Sequence, residues 1–86
     1  MEIIRWHHRK TKEQLKQILL ELMQQNDIDS PVNWNGFEFE GKAYGTSIQG
    51  EIFEGELYIE VSGWFEGKAA QKLRDAWKEL VITGVV

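Results

Sequence analysis

The sequence predicts an α+β domain, with an antiparallel β-meander of about four to five strands and two helices packed on its apolar face. Two stretches carry apolar residues at helical spacing, one in the N-terminal half at about 11–26 and one near the C-terminus at about 67–80. Between them apolar and polar residues alternate with period two, which is typical of strands with one buried face. The 86 residues are expected to form a single domain, 1–86, because no linker-like composition divides them.

A strand and a helix are predicted in the first third of the chain. The strand runs from Glu2 to His8, and its alternation sets Ile4, Trp6 and His8 against Ile3, Arg5 and His7. Thr11 and Gln14 then form a T-x-x-Q capping box at the start of the helix. The apolar stripe of this helix consists of Leu15, Ile18, Leu19, Leu22 and Met23, and Asn26-Asp27 is its expected end.

The sequence predicts a break at Ser30-Pro31, followed by a series of hairpins in the middle of the chain. Asn35-Gly36 predicts a type I′ turn, Glu40-Gly41-Lys42 a second turn and Glu54-Gly55 a third. Tyr44, Thr46, Ile48 and Ile52 share one parity, with Gly45 and Gly50 as expected bulge points.

The second helix is predicted from a stripe near the C-terminus. Its members are Ala69, Ala70, Leu73, Ala76, Trp77 and Leu80. The apolar tail, residues 81–86, fits either a short final strand or a poorly ordered end, and the pattern leaves both open.

The composition excludes several classes of protein. A chain with 42% hydrophobic residues is too apolar for a disordered protein. The absence of cysteine excludes a disulfide scaffold, a thiolate metal site and a cysteine nucleophile. No apolar run is long enough to cross a bilayer and no signal peptide is recognisable, so we expect a soluble, cytoplasmic domain.

The charge of −4 is unevenly distributed. Residues 1–16 carry five bases and two acids, whereas residues 17–66 carry ten acids and one base, Lys42. The last twenty residues return to a small positive balance. The acidic middle would repel phosphate, so we expect no appreciable binding of nucleic acid.

No residue is predicted to be catalytic, to bind a cofactor or to ligate a metal. His7 and His8 are adjacent in a strand and point to opposite faces, so they cannot easily chelate one ion together. Carboxylate pairs such as Glu38 with Glu40, and Glu54 with Glu56, lie on the face of the sheet that is expected to be acidic and exposed to solvent throughout. We therefore expect no selective rise in the pKa of one of them.

Two sets of residues are candidates for interaction with a partner. Trp64-Phe65 is an apolar pair at the corner between the last strand and the second helix, where it can form an exposed patch. The junction between the first strand and the first helix is basic. Its candidate residues are Arg5, His8, Arg9, Lys10 and Lys12, accompanied by His7.

The order helix, strands, helix resembles the outline of a double-stranded-RNA-binding domain. The segment Gly67-Lys68-Ala69-Ala70-Gln71-Lys72 resembles the basic start of that family's second helix. The paired lysines of the family are missing here, and Glu54 and Glu56 occupy a hairpin where the family has polar or basic groups.

A second resemblance covers nearly the whole chain. It includes the N-terminal strand ending in histidine, the amphipathic helix, Trp34-Asn35-Gly36-Phe37-Glu38-Phe39 and the closing Trp77-Lys78-Glu79-Leu80. In this order the chain resembles the small polyhydroxyalkanoic acid system protein family, encoded near polyester-granule genes in bacteria. That family has a longer apolar segment before its last helix. The resemblance implies a cytoplasmic α+β domain without assigned catalytic residues.

Three functions remain as alternatives. The first is a non-enzymatic binding or assembly domain, granule-associated if the resemblance holds, with a protein partner or self-association. The second is a nucleic-acid-binding module that uses the basic junction. The third is a small-ligand-binding or enzymatic domain with a pocket between the sheet and the helices.

Overall fold

Five strands and two helices make up the described part of the chain, residues 1–25, 32–43 and 45–86 of the computed structural model. In chain order they are β1 (Glu2–His7), α1 (Lys12–Gln25), β2 (Val32–Asn35), β3 (Glu38–Ala43), β4 (Thr46–Phe53), β5 (Glu56–Gly63) and α2 (Glu66–Ile82). The strands form one antiparallel sheet in the order β1-β5-β4-β3-β2. The predicted α+β class is confirmed: β2 to β5 form a meander, and β1 joins it beside β5.

One face of the sheet carries the core. Strand β5 shows the alternation: Leu57, Ile59 and Val61 are buried, while the residues between them are partly exposed. Leu15 and Leu19 of α1, together with Ala70 and Trp77 of α2, join the same buried cluster. Both helices therefore cover one face, and no described helix covers the other, which we call the open face.

The start of α1 follows the predicted capping box. The Gln14 N–H donates to Thr11 Oγ1 at 3.1 Å, and the Thr11 N–H donates to Gln14 Oε1 at 3.1 Å. Each bond satisfies a backbone donor that the first turn of a helix leaves free. The side chain of Met23, the predicted helix end at Asn26-Asp27 and the break at Ser30-Pro31 lie outside the described residues.

Helix α2 is held to the edge strand β1 by two contacts. The rings of Trp6 and Trp77 stack with their centroids 4.6 Å apart and their planes 7° apart. The Arg74 guanidinium donates to the Glu2 carboxylate at 2.8 Å. The stack buries apolar surface between strand and helix, and the surface ion pair adds little beyond that.

The tail, residues 81–86, forms neither the short final strand nor the poorly ordered end that the sequence pattern allowed. Residues 81 and 82 continue α2, so the helix is longer than predicted and no final strand forms. The helix ends in a Schellman motif, with the Val85 N–H bonded to the Leu80 carbonyl at 3.0 Å and the Gly84 N–H to the Val81 carbonyl at 3.2 Å. Val86 then packs against the core.

The first hairpin turn is displaced by one residue from its predicted position. Asn35 pairs with Glu38 and Trp34 with Phe39, so the turn residues are Gly36 and Phe37. The Trp34 and Phe39 rings contact each other, with centroids 4.9 Å apart. Because Phe37 and Phe39 share a parity, the alternation of the sequence could not distinguish the two pairings.

The predicted second turn at Glu40-Gly41-Lys42 is wrong, because all three residues lie inside β3 and pair with β4. The turn comes later and contains Gly45, while Tyr44 lies outside the described residues. Gly50 is not a bulge, since it pairs directly with Phe39 in an unbroken ladder. The third turn, at Glu54-Gly55, is confirmed.

Position 50 requires glycine because the Phe39 ring packs directly against its backbone. A Cβ at this position would lie 2.2 Å from Phe39 Cζ, and Phe39 is itself buried. We therefore expect Gly50→Ala to destabilise the domain by about 1–3 kcal/mol, the usual cost of overpacking a core. The free energy of unfolding, measured in urea, checks this.

Gly67→Ala is the matched control for that substitution. A Cβ at Gly67 meets nothing within 4 Å, and the residue lies in the first turn of α2. This change should stabilise the domain by about 0.4–1 kcal/mol, because alanine loses less backbone entropy on folding. Equal effects of the two substitutions would contradict the packing of Phe39 on Gly50.

Candidate functional site

The corner between β5 and α2 is held in place by its backbone. Gly63 ends β5 with a φ of 117°, and a Cβ there would lie 2.2 Å from the Gly45 carbonyl oxygen. The Trp64 N–H donates to that same carbonyl at 3.3 Å, and the Phe65 N–H donates to Thr46 Oγ1 at 3.0 Å. The two aromatic residues therefore sit on a backbone that is tied to the start of β4.

The side chains at this corner face solvent. Trp64 is 88% exposed and Phe65 is 48% exposed. The ammonium group of Lys68 lies 6.0 Å from the centre of the Phe65 ring. The sequence-predicted interaction pair thus lies at the surface, and we call Trp64 and Phe65 the aromatic corner.

The basic residues of the first strand–helix junction are distributed over β1, the connecting loop and α1. Arg5 lies on the open face, with its guanidinium 5.4 Å from the centre of the Tyr58 ring. Arg9 is exposed between β1 and α1, and Lys10 is partly exposed beside it. Lys12 is on α1, where its ammonium group lies 4.9 Å from the centre of the Phe37 ring.

His8 is buried and has no ring nitrogen available for a partner. Its Nδ1 accepts a hydrogen bond from the Lys10 N–H at 3.2 Å. Because Nδ1 is the acceptor, Nε2 carries the proton and donates to the Phe53 carbonyl oxygen at 2.9 Å. The ring therefore links the end of β1 to the β4–β5 hairpin, whereas His7 is exposed on the open face.

Lys16 connects α1 to the first hairpin. Its ammonium group donates to the Gly36 carbonyl at 2.8 Å and lies 4.9 Å from the centre of the Trp34 ring. Lys12, a candidate residue of the basic junction, is placed similarly on Phe37, so both lysines lie over aromatic rings.

The open face holds a shallow acidic hollow of about 460 Å³. Its side chains include four carboxylates, Glu38, Glu40, Glu51 and Glu60. Asn33, Asn35, Gln49 and Tyr58 complete its polar lining, and Trp34, Phe39 and Gly50 contribute to its floor. The predicted acidic face is therefore present, and it is concave.

Two carboxyl groups in this hollow interact across the strands. Glu38 pairs with Glu51 in the β3–β4 register, so their side chains lie side by side. Loss of solvent around Glu51, its hydrogen bond with Glu38 and the Glu38 charge raise the pKa of Glu51 above its ordinary 4.5. Glu51 was not one of the carboxylates that the sequence pattern paired, because its interaction with Glu38 is across strands rather than along one strand.

Tyr58 is also engaged within the hollow. Its hydroxyl donates to the Glu60 carboxylate, and this hydrogen bond raises the pKa of Tyr58 above 10.0, with burial and the Glu60 charge adding to it. The phenol therefore keeps its proton at neutral pH and donates a hydrogen bond to the neighbouring carboxylate.

Two features are absent from the described residues. No group of three or more histidine, aspartate or glutamate side chains among them is placed to hold a metal ion. None of the helices in residues 1–25, 32–43 and 45–86 has the length and hydropathy needed to cross a membrane.

His8→Ala is expected to destabilise the domain by about 1–3 kcal/mol, because it removes two hydrogen bonds at a buried position. His7→Ala is the matched control, and at an exposed position it should change stability by less than about 0.5 kcal/mol. Thermal and urea unfolding of both variants at neutral pH provide the measurement. A His8→Ala protein as stable as His7→Ala would show that the ring does not link the two segments.

Glu51→Gln is expected to raise the melting temperature at pH 7. The pKa of Glu51 is higher in the folded domain than in the unfolded chain. Protonated Glu51 therefore stabilises the fold at a pH below the unfolded-state pKa, and this stabilisation is lost as the pH rises through the folded-state pKa. Glutamine removes the charge that faces Glu38, so its advantage should shrink when the pH is lowered to about 4. Glu40→Gln, on the same face and opposite Gln49, is the control. An advantage that is the same at both pH values would contradict the carboxyl pair.

Comparison with known proteins adds no family to this description. No family model matches the chain, and no match is found among curated proteins or solved structures. The aromatic corner, the basic residues and the open face are therefore interpreted from their own geometry.

Proposed function

We propose that this domain is a non-enzymatic binding or assembly module whose main contact is the aromatic corner. The observation that carries the proposal is the exposure of Trp64, at 88%, on a backbone fixed by two hydrogen bonds to residues 45 and 46. The partner surface is apolar, as on a polyester granule, which is the setting implied by the resemblance to the polyhydroxyalkanoic acid system family.

The energetics support a contact at this position. Burying a large apolar side chain stabilises a complex by about 1.5–3 kcal/mol relative to leaving it in water. Tryptophan is over-represented among the residues that dominate binding energies. Because the backbone of the corner is already fixed, binding loses little conformational entropy there.

The alternative functions have less support from the same structure. Nucleic-acid binding needs a continuous basic surface, but Arg5 is beside Tyr58, His8 is buried and Lys12 covers Phe37. The small-ligand or enzymatic alternative placed its pocket between the sheet and the helices, whereas the hollow lies on the open face.

The proposal predicts that Trp64→Ser weakens binding to an apolar polyester surface about tenfold or more, as expected for a tryptophan that dominates a contact. The purified domain is sedimented with amorphous polyhydroxybutyrate particles, and the bound fraction is measured against particle concentration. The melting temperature of the variant should remain near that of the wild type, since an exposed side chain contributes little to stability.

Ile82→Ser is the matched control. Ile82 is 73% exposed at the other end of α2, so the substitution also removes exposed apolar surface, but away from the corner. Binding that is weakened equally by both variants would indicate non-specific adsorption. A wild-type domain that does not sediment with the particles would contradict the granule partner.

A further inference from the structure

The outer edge of β1 offers backbone groups for a further strand. The His8 N–H bonds to the Gly55 carbonyl at 3.2 Å, which identifies that opposed pair as hydrogen-bonded. In an antiparallel ladder hydrogen-bonded and non-hydrogen-bonded pairs alternate. Trp6 and Ile4 therefore bond to β5, while Ile3, Arg5 and His7 direct their N–H and C=O groups away from the sheet.

This edge carries the charged residues Glu2 and Arg5 but lacks most other features that usually prevent strand addition. Strand β1 is six residues long, pairs with β5 without a bulge and contains no proline, glycine or lysine. Ile3 is 53% exposed on it. At the opposite edge, strand β2 has only four residues. By the same alternation, only Val32 and Trp34 of β2 direct their backbone N–H and C=O groups away from the sheet. The longer β1 is therefore the better site for an added strand.

We propose that β1 pairs antiparallel with β1 of a second copy of this chain, which makes one continuous ten-stranded sheet. A two-fold axis beside Ile4 places Ile4 opposite Ile4 of the second copy and Ile3 opposite Arg5. Each Ile3–Arg5 pair exchanges two hydrogen bonds through the outward groups. An axis at Arg5 would set two guanidinium groups opposite each other, and like charges at that distance are unfavourable.

Charge complementarity favours a second copy at this edge. Ile3 pairs with Glu60 on its inner side, so Arg5 of the second copy falls in the same row of the open face, two strands from Glu60. That separation is about 10 Å, within reach of two long side chains. Each guanidinium, which in its own copy lies 5.4 Å from the centre of the Tyr58 ring and has its Nε 4.0 Å from a Glu56 oxygen, is then also near the acidic hollow of the other copy. This pairing is independent of the aromatic corner, which lies at the end of β5.

Amide hydrogen exchange followed by NMR over a range of protein concentrations tests the pairing, together with sedimentation equilibrium. We expect the average mass to rise from 10.1 kDa toward twice that value as concentration increases. Over the same range the amides of Ile3 and Arg5 should become protected, whereas those of Ile4 and Trp6 should be protected throughout. A mass of 10.1 kDa with fast exchange at Ile3 and Arg5 at every concentration overturns the proposal.

Arg5→Pro and Ile3→Lys provide the variants. Proline at position 5 removes an outward N–H that the β1–β5 ladder does not use, and lysine at position 3 adds a charge to the edge. Both substitutions should remove the concentration-dependent rise in mass. If Arg5→Pro does not fold, Ile3→Lys alone tests the pairing. Trp64→Ser should dimerise like the wild type. Loss of the dimer in Trp64→Ser, with retention in Ile3→Lys, would assign the contact to the aromatic corner and overturn the edge pairing.

Discussion

The burial of one face of β5 is the constraint on which the rest of this structure depends. Leu57, Ile59 and Val61 are each at most 2% exposed, and the strand is hydrogen-bonded to β1 on one side and β4 on the other. Because strand side chains alternate, burying these three residues places Tyr58 and Glu60 on the opposite face. Both helices then pack where the apolar residues are, and the open face remains polar.

The open face concentrates the acidic charge of the middle of the chain. Glu38, Glu40, Glu51 and Glu60 come from three strands, yet the sheet brings them to one hollow. Like charges that face each other across strands oppose folding, and loss of solvent around Glu51 together with its interactions with Glu38 raises the pKa of Glu51. Lys12 of α1 offsets part of this repulsion, since its charge acts to lower the pKa of Glu51.

The four tryptophans have different environments despite their similar chemistry. Trp6 and Trp77 stack between β1 and α2, and Trp34 lies between Phe39 and the ammonium group of Lys16. Trp64 has no such cover, because Gly63 and Gly45 turn the chain sharply and direct its side chain to solvent. The same local geometry that closes the sheet at this end therefore creates the aromatic corner.

Local patterns in the sequence determined the fold class, both helices and the capping box at Thr11. These features depend on residues close together in the chain, where period and turn chemistry are sufficient. The tertiary structure decided the pairing of Trp34 with Phe39, the inward position of His8 and the partnership of Glu38 with Glu51. A strand pattern of period two looks the same after a shift of two residues, so pairing across strands is decided by contacts such as Phe39 against Gly50, which join distant parts of the chain.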